Sequence, residues 1–584
     1  MSEEQYLLAG MLPRPRPGHS TEDLEEPTPA SPLLRSSVKD LDSLRAKPGI
    51  LQRLVDAITL GDDDDVDATA VRDAAKKTSL RGLRNPSSDP RPRAATKTDV
   101  ESDHSEHGVF GLTPQSSLLS TWRVLLIQST PLIASFLLDV LGDIITLTYA
   151  GNYTKDEQHR SSIFAGIALS NVLANVTGVS IMYGMGSVLE TIASQHNGAR
   201  RYKEVGFALQ RAVLVLAVMC VFIAPLWYFA GDLCRLAHID PIACDTAETF
   251  LRIRLFVLPG IVLHISFEFY TMAVGVFLPS MYSGVVYNSV LLLINYISIN
   301  VFRLEHEYLA YSLVVSMYIS LFFQIGISLL YNRVRRTLQR PSREALQGWS
   351  EFVSLGISAT VMLCSEWWAY EIMALMAAEL GADSLSAESI LIQTEYLAFI
   401  FPLCIGYAIT SVVGNSLGSG NIALSRLIGT HALYIILVVE VVIGMGVFIL
   451  SPPWISFIIE DSDVRLIAHN AVPLLSYYAF MDCFQGIASG VLKGAGKQYI
   501  GAILNVISFY LLALPMAAVF GFVLKWGVNG LLMGFCFGTT FQTFILAYIL
   551  IFKIDFVYSG VGSFLENSSV ANKHSELIAD SSTA

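Results

Sequence analysis

Charge is scarce in this chain. Only 15% of its 584 residues are Asp, Glu, Lys or Arg, while 53% are hydrophobic; soluble domains carry about 25% charge. The deficit excludes an ordinary soluble domain and indicates a polytopic membrane protein. The seven cysteines form no CxxC pair. Cys220, Cys364, Cys404, Cys483 and Cys536 sit in apolar runs and read as small packing residues. Cys234 and Cys244 share one loop, where they can pair only if that loop is luminal. There is no HExxH, no GxSxG after a strand pattern and no membrane-facing His/Asp cluster, which argues against an integral-membrane enzyme. No filter-like motif supports a channel, and no cofactor or metal ligand set is read. The start lacks a basic segment followed by an apolar core, so no cleaved signal peptide is expected and the first span acts as the insertion signal.

What is present is organised around Cys364-Ser365-Glu366-Trp367-Trp368-Ala369-Tyr370-Glu371. This stretch lies inside an apolar run from Phe352 to Met376, long enough to cross a bilayer at about 20 residues. A charged side chain at a helix centre costs roughly 2.5–3.5 kcal/mol on insertion scales. Carboxylates in such a place imply a wet cavity or a partner, and hence a site. Twelve apolar helices are expected, at 123–149, 161–186, 205–230, 247–273, 280–301, 308–331, 351–377, 386–412, 425–450, 465–490, 500–523 and 528–552. Residues 1–117, with Pro13, Pro15, Pro17 and the run Asp62-Asp63-Asp64-Asp65, are too polar to offset their ordering entropy and read as a disordered tail. Within them Glu3-Glu4-Gln5-Tyr6-Leu7-Leu8 resembles an acidic dileucine sorting signal of vacuolar and lysosomal proteins.

Basic residues choose the orientation. Arg200, Arg201, Lys203, Arg333, Arg335, Arg336, Arg340, Arg426, Lys493 and Lys497 are all placed in loops on one side, which becomes the cytoplasm together with both termini. Arg160, Arg235 and Lys525 are the exceptions on the other side. There Asn152-Tyr153-Thr154 is a glycosylation sequon in a loop whose topology permits its use, whereas Asn175-Val176-Thr177 is inside a span. The domains are therefore a cytoplasmic tail at 1–117, a six-helix bundle at 118–331, a linker at 332–348, a second six-helix bundle at 349–553 and a tail at 554–584. A weak repeat supports the division. Gln195 and Gly198 after the second span match Asn415 and Gly418 after the eighth: an amide, then glycine three residues on. Two bundles in the same orientation are parallel repeats, an arrangement suited to alternating access.

These motifs resemble the multidrug and toxic compound extrusion (MATE) family, in its eukaryotic branch. The likeness runs over about 118–553: Asn175–Gly178, Gly186–Thr191, Gln195, Gly198-Ala199 and Gln210-Arg211 in the first half; then Cys364–Glu371, Pro402, Val413–Gly418, Asp482–Gly486, Gly490–Gly496, Gly501–Asn505 and Pro515. It implies an all-α fold of twelve transmembrane helices in a V-shaped pair of six-helix bundles. It also implies export of small organic molecules, mostly cationic or amphipathic, in exchange for protons or Na⁺. The family's acids fall on Glu366, Glu371 and Asp482; a third acid position reads Gln393, with Glu395 two residues on and pointing elsewhere on the helix. The coupling Asp of some prokaryotic members aligns with about Thr146, and Asp139 and Asp143 stand nearby instead.

Helix geometry refines the roles. Glu366 and Glu371 are five apart and point about 140° from one another. Glu366 and Tyr370 share a face, so Tyr370 is placed to hydrogen-bond a carboxyl or offer its ring to a cation. Asp482 and Gln485 also share a face, which makes Gln485 a candidate partner of Asp482. Asp139 and Asp143 stack at i, i+4, either facing the cavity or packing against a polar neighbour, and so do His264 and Glu268, as a proton relay or a structural hydrogen bond. A carboxyl group in low dielectric holds its proton more readily, and a cationic substrate competes with that proton, which suffices for antiport. The sequence is thus read as a proton-coupled exporter, a monomer in a vacuolar, lysosomal-type or plasma membrane, with H⁺ rather than Na⁺ as coupling ion. A lipid-linked oligosaccharide flippase of the same wider fold is the nearest rival, and would need basic residues in its cavity.

Overall fold

The computed structural model describes residues 109–153, 159–236, 239–459 and 461–554. The expected tail, its sorting signal and the C-terminal tail therefore lie almost wholly outside the described residues. Within them the protein is all-α. Twelve long helices follow the apolar runs: α1 Leu118–Tyr153, α2 Arg160–Gly198, α3 Tyr202–Tyr228, α4 Pro241–Ala273, α5 Leu278–Val301, α6 Tyr308–Ser328, α7 Trp349–Glu379, α8 Ala382–Gly418, α9 Ile422–Ile458, α10 Ser462–Gly494, α11 Gln498–Val523 and α12 Gly527–Lys553. Eleven of these are long and apolar enough to cross a membrane by length and composition. The exception is α10, which has the length but carries Asp463, Arg465, Asp482 and Lys493 and is buried along most of its second half. Asp482 and Lys493 are tolerated because their neighbours are protein, while Asp463 is exposed at the start of the helix.

Most helices extend beyond the ranges read from hydropathy, because polar ends continue the helix past the apolar run. Helices α2, α5, α11 and α12 each contain a π-helical stretch, a device that lets a helix shift its packing face. The one in α2, Asn175–Val179, holds the second sequon; Thr177 donates to the Leu173 carbonyl at 2.6 Å and accepts from the Trp227 indole at 3.1 Å. Asn152 and Tyr153 lie in the last turn of α1, and Thr154 of their sequon falls outside the described residues.

The linker is docked. Tyr270 donates to the Val334 carbonyl at 3.1 Å, and Gln210 bonds the carbonyls of Gln339 and Arg340 at 3.1 and 2.9 Å and the Ser342 amide at 3.1 Å. Ahead of α1, Val109 and Leu112 pair both ways at 2.9 Å around Phe110 and Gly111, which have φ values of 52° and 75°. Only Gly tolerates that region freely. Arg333 lies 5.7 Å over the Phe110 ring, while Leu112 is buried among residues of α8, α9 and α10. At the opposite end, Arg235 pairs with Asp232, Asp245 and Glu248 at 2.8, 2.6 and 2.6 Å. Arg235, one of the three basic residues that depart from the loop pattern, is thus ringed by acids. Cys234 and Cys244 are adjacent there, buried and free.

Candidate carboxyl cluster and interbundle seam

Helices α7, α8 and α10 bring three carboxyls together. Glu366, Glu395 and Asp482 are 4%, 3% and 0% exposed. Asp482 and Glu395 are neighbouring carboxyls, and Glu366 is within electrostatic range of both. Gln485 donates from Nε2 to Glu366 Oε2 at 2.8 Å. Both oxygens of Asp482 and Oε1 of Glu395 have no hydrogen-bond partner among the described residues. Buried polar groups are ordinarily satisfied, so these oxygens stand out as unused acceptors in the core. Above it, Tyr370 and Tyr478 are hydrogen-bonded to each other through their hydroxyls, and Tyr370 stacks on Phe535 at 5.8 Å.

Several expectations are corrected by these positions. Gln485 serves Glu366 and not Asp482. Tyr370 bonds Tyr478 rather than a carboxyl. Gln393 is exposed on α8, and Glu395 takes its place in the cluster. Two residues turn a helix by about 200°, so the acid and the amide cannot serve one site. Glu371 is exposed, turned away from Glu366, and lies within electrostatic range of Glu388, a buried acid that sequence reading passed over. Glu388 is seven residues before Glu395 and so shares its face, which was the available signal.

A second polar group belongs to the first half. Asp139 and Asp143 are exposed on α1. Asp143 is in electrostatic range of Arg254, which donates to Asn171 Oδ1 at 2.6 Å, and Asp139 is in range of Glu268. Glu268 accepts from Tyr183 at 3.4 Å and faces His264. Tyr396, next to Glu395 on α8, lies in electrostatic range of Asp139, Asp143 and Glu395, members of both acidic groups. Arg254 was not anticipated.

The two amide–glycine motifs meet. A methyl group built on Gly198 comes within 2.8 Å of Asn415 Cα, and one on Gly418 within 2.9 Å of Gln195 Cα. Each glycine thus packs on the amide-bearing residue of the other copy, and Gly414 abuts the Ser194 side chain. Asn197 Nδ2 donates to Asn415 Oδ1 at 2.8 Å; Asn415 Nδ2 donates to the Ala273 carbonyl at 2.9 Å; Gln195 Nε2 donates to the Gly494 carbonyl at 3.1 Å. These bonds join α2 and the α4 end to α8 and α10, at the end of the protein that carries Arg200, Arg201 and Lys203. Lys493, expected in a loop, is instead inside α10 and only 6% exposed.

The sequence profile of the MatE family matches residues 131–297 and again 359–519, one match in each half. Multidrug and toxin extrusion protein 1 of Homo sapiens is 31% identical over 426 residues, covering 72% of this chain and 73% of that protein. The protein of the same name from Danio rerio is 28% identical over 426 residues, covering 73% and 71%. Among solved structures, the eukaryotic MATE transporter AtDTX14 superimposes with a TM-score of 0.69 at 24% identity, over 75% of this chain and 97% of that one. The outward-facing conformation of a multidrug resistance MATE transporter superimposes with a TM-score of 0.64 at 16% identity, over 72% and 93%.

Proposed function

Because the chain belongs to the MATE family, a family of multi-pass membrane transporters, we propose that it is a secondary active antiporter that exports small organic cations or amphipaths in exchange for protons. The observation that carries this reading is the buried group Glu366, Glu395 and Asp482, held by one amide donor and leaving three carboxyl oxygens unpartnered among the described residues. Two carboxyls facing each other repel when both are ionised and close on a shared proton when one is not. An organic cation entering beside the Tyr370–Tyr478 pair supplies the same positive charge by another route, with aromatic faces to receive it. Proton and substrate then exclude each other, and alternating access makes that exclusion an exchange. Asp139 and Asp143, exposed across from Tyr396, provide a second acidic wall for the approach of a cation.

The basic residues of its loops support a cytoplasmic location for the end bearing Arg200, Arg201 and Lys203, together with both termini. The deciding experiment uses purified protein in liposomes with imposed gradients. A pH gradient drives uptake of an organic-cation probe against its concentration, and removal of Na⁺ leaves the rate unchanged. A strict Na⁺ requirement at fixed pH overturns proton coupling. Uptake of organic anions alone overturns the substrate class.

A further inference from the structure

Lys493 is the ammonium that the site above does not use. It sits in the last turn of α10, 6% exposed, with Nζ 5.0 Å over the ring of Tyr407 on α8. Two carboxyls lie within its electrostatic range, Glu190 on α2 and Glu366 on α7. Glu190 is fully buried, both its oxygens lack a hydrogen-bond partner among the described residues, and its other charged neighbour is Glu268 on α4. The backbone around Lys493 is itself part of the seam. Its carbonyl accepts from Thr191 Oγ1 at 2.9 Å, and Thr191 in turn accepts from Gln498 at 2.9 Å.

We infer that Lys493 is the positioning residue that ties the charge of the carboxyl cluster to closure of the interbundle seam, and that Glu190 is its counter-ion in the closed form. The inference rests on the proton-coupled reading above. Glu190 belongs to the first half and Glu366 to the second, and one flexible ammonium is within electrostatic range of both. When the cluster around Glu366 is ionised, the ammonium has a rival attraction on its own side of the seam. When a proton or an organic cation neutralises the cluster, Glu190 is the remaining anion, and the attraction runs across the seam and draws the halves together. A buried ammonium that is not locked into a bidentate pair suits this role, because four rotatable bonds let it change partner without moving the backbone. The Tyr407 ring holds the cation in either orientation.

The test is a distance measurement across the seam, with spin labels at K203C and A423C, both exposed at the ends of α3 and α9. The full chain is reconstituted at acidic and at alkaline pH, and transport of an organic-cation probe is measured in parallel. In the otherwise unaltered protein the distance distribution changes with pH. In the double variant E190Q/K493M, which removes both charges and strands neither, the distribution becomes independent of pH, and gradient-driven transport falls about tenfold. K493R, which keeps the charge, restores a pH response. If the distribution in the double variant still follows pH as before, Lys493 is a structural ion and the inference falls while proton coupling stands. If the unaltered protein shows no pH response and no gradient-driven transport, both fall.

Discussion

Replacing Gly198 by alanine tests the seam with a single methyl group. The built Cβ lies 2.8 Å from Asn415 Cα and closer still to the Asn415 carbonyl, while carbon atoms at rest stand about 3.5 Å or more apart. Helices α2 and α8 must therefore separate by at least about 0.7 Å at their crossing to clear the Cα, and by more to clear the carbonyl oxygen. The obstacle is backbone, which cannot rotate aside. Overpacking of this kind costs about 1–3 kcal/mol, and the cost applies only while the two ends are together. Alanine also gains helix propensity over glycine by about 1 kcal/mol, but that gain is common to every folded form and cancels in the balance between them. The closed population should fall about 5- to 150-fold relative to a form with the ends apart. The spin-label pair K203C/A423C reads this as growth of the longer distance. G446A is the control, since nothing lies within 4 Å of a methyl group at that position in α9. The reasoning is refuted if G198A and G446A give the same distribution, or if G418A, its counterpart in the second half, shortens the distance.

Three further outcomes follow from the cluster and its supports. E395Q should abolish gradient-driven export of the cation probe, whereas Q393E, on the exposed side of α8, should leave it near the starting rate; equal losses would return the role to position 393. E366Q should lose cation transport almost completely and E371Q should not, because Glu366 is buried against Gln485 and Glu371 is exposed; the reverse order in transport assays defeats that assignment. Asn505 donates to the Met362 carbonyl at 2.7 Å and accepts from Gln542 at 2.8 Å, so N505A should destabilise the protein by about 1–3 kcal/mol per orphaned group, seen as a lower melting temperature in detergent, while leaving substrate preference unchanged.

Much of the architecture was legible because apolar runs longer than about 20 residues have few alternatives. Eleven such runs and the more polar α10 appear where hydropathy placed them. The repeated amide and glycine were legible too, although the sequence showed only that they recur, not that Gly198 lies on Asn415 and Gly418 on Gln195. Contacts between helices depend on how each is rotated about its axis, and a single helix does not specify its own rotation. That is why Gln485 was paired with Asp482, its neighbour on one helix face, while its bond is to Glu366 on another helix. It is also why the sequence puts the third acid position at Gln393 and turns Glu395 elsewhere, whereas burial brings Glu395 into the cluster. Lys493 reads as a loop residue in the sequence because it follows the tenth apolar run among other basic residues of that side. Here the run continues as a buried helix end.

The crossing of the two motif copies is an isologous interface folded into one chain. In a homodimer about a two-fold axis, a residue that meets another across the interface is met by it in return. Gly198 on Asn415 and Gly418 on Gln195 have that reciprocity, with Ser194 and Gly414 beside the axis. In a homodimer, one substitution changes both sides of the contact at once. Joined in a single polypeptide, the sides vary separately. One has Gln where the other has Asn, and the bond from Asn197 to Asn415 has no mirror image, because Leu417 stands where a second asparagine would be. The polypeptide has thereby acquired a seam whose two sides bond differently, which a symmetric pair of copies cannot have.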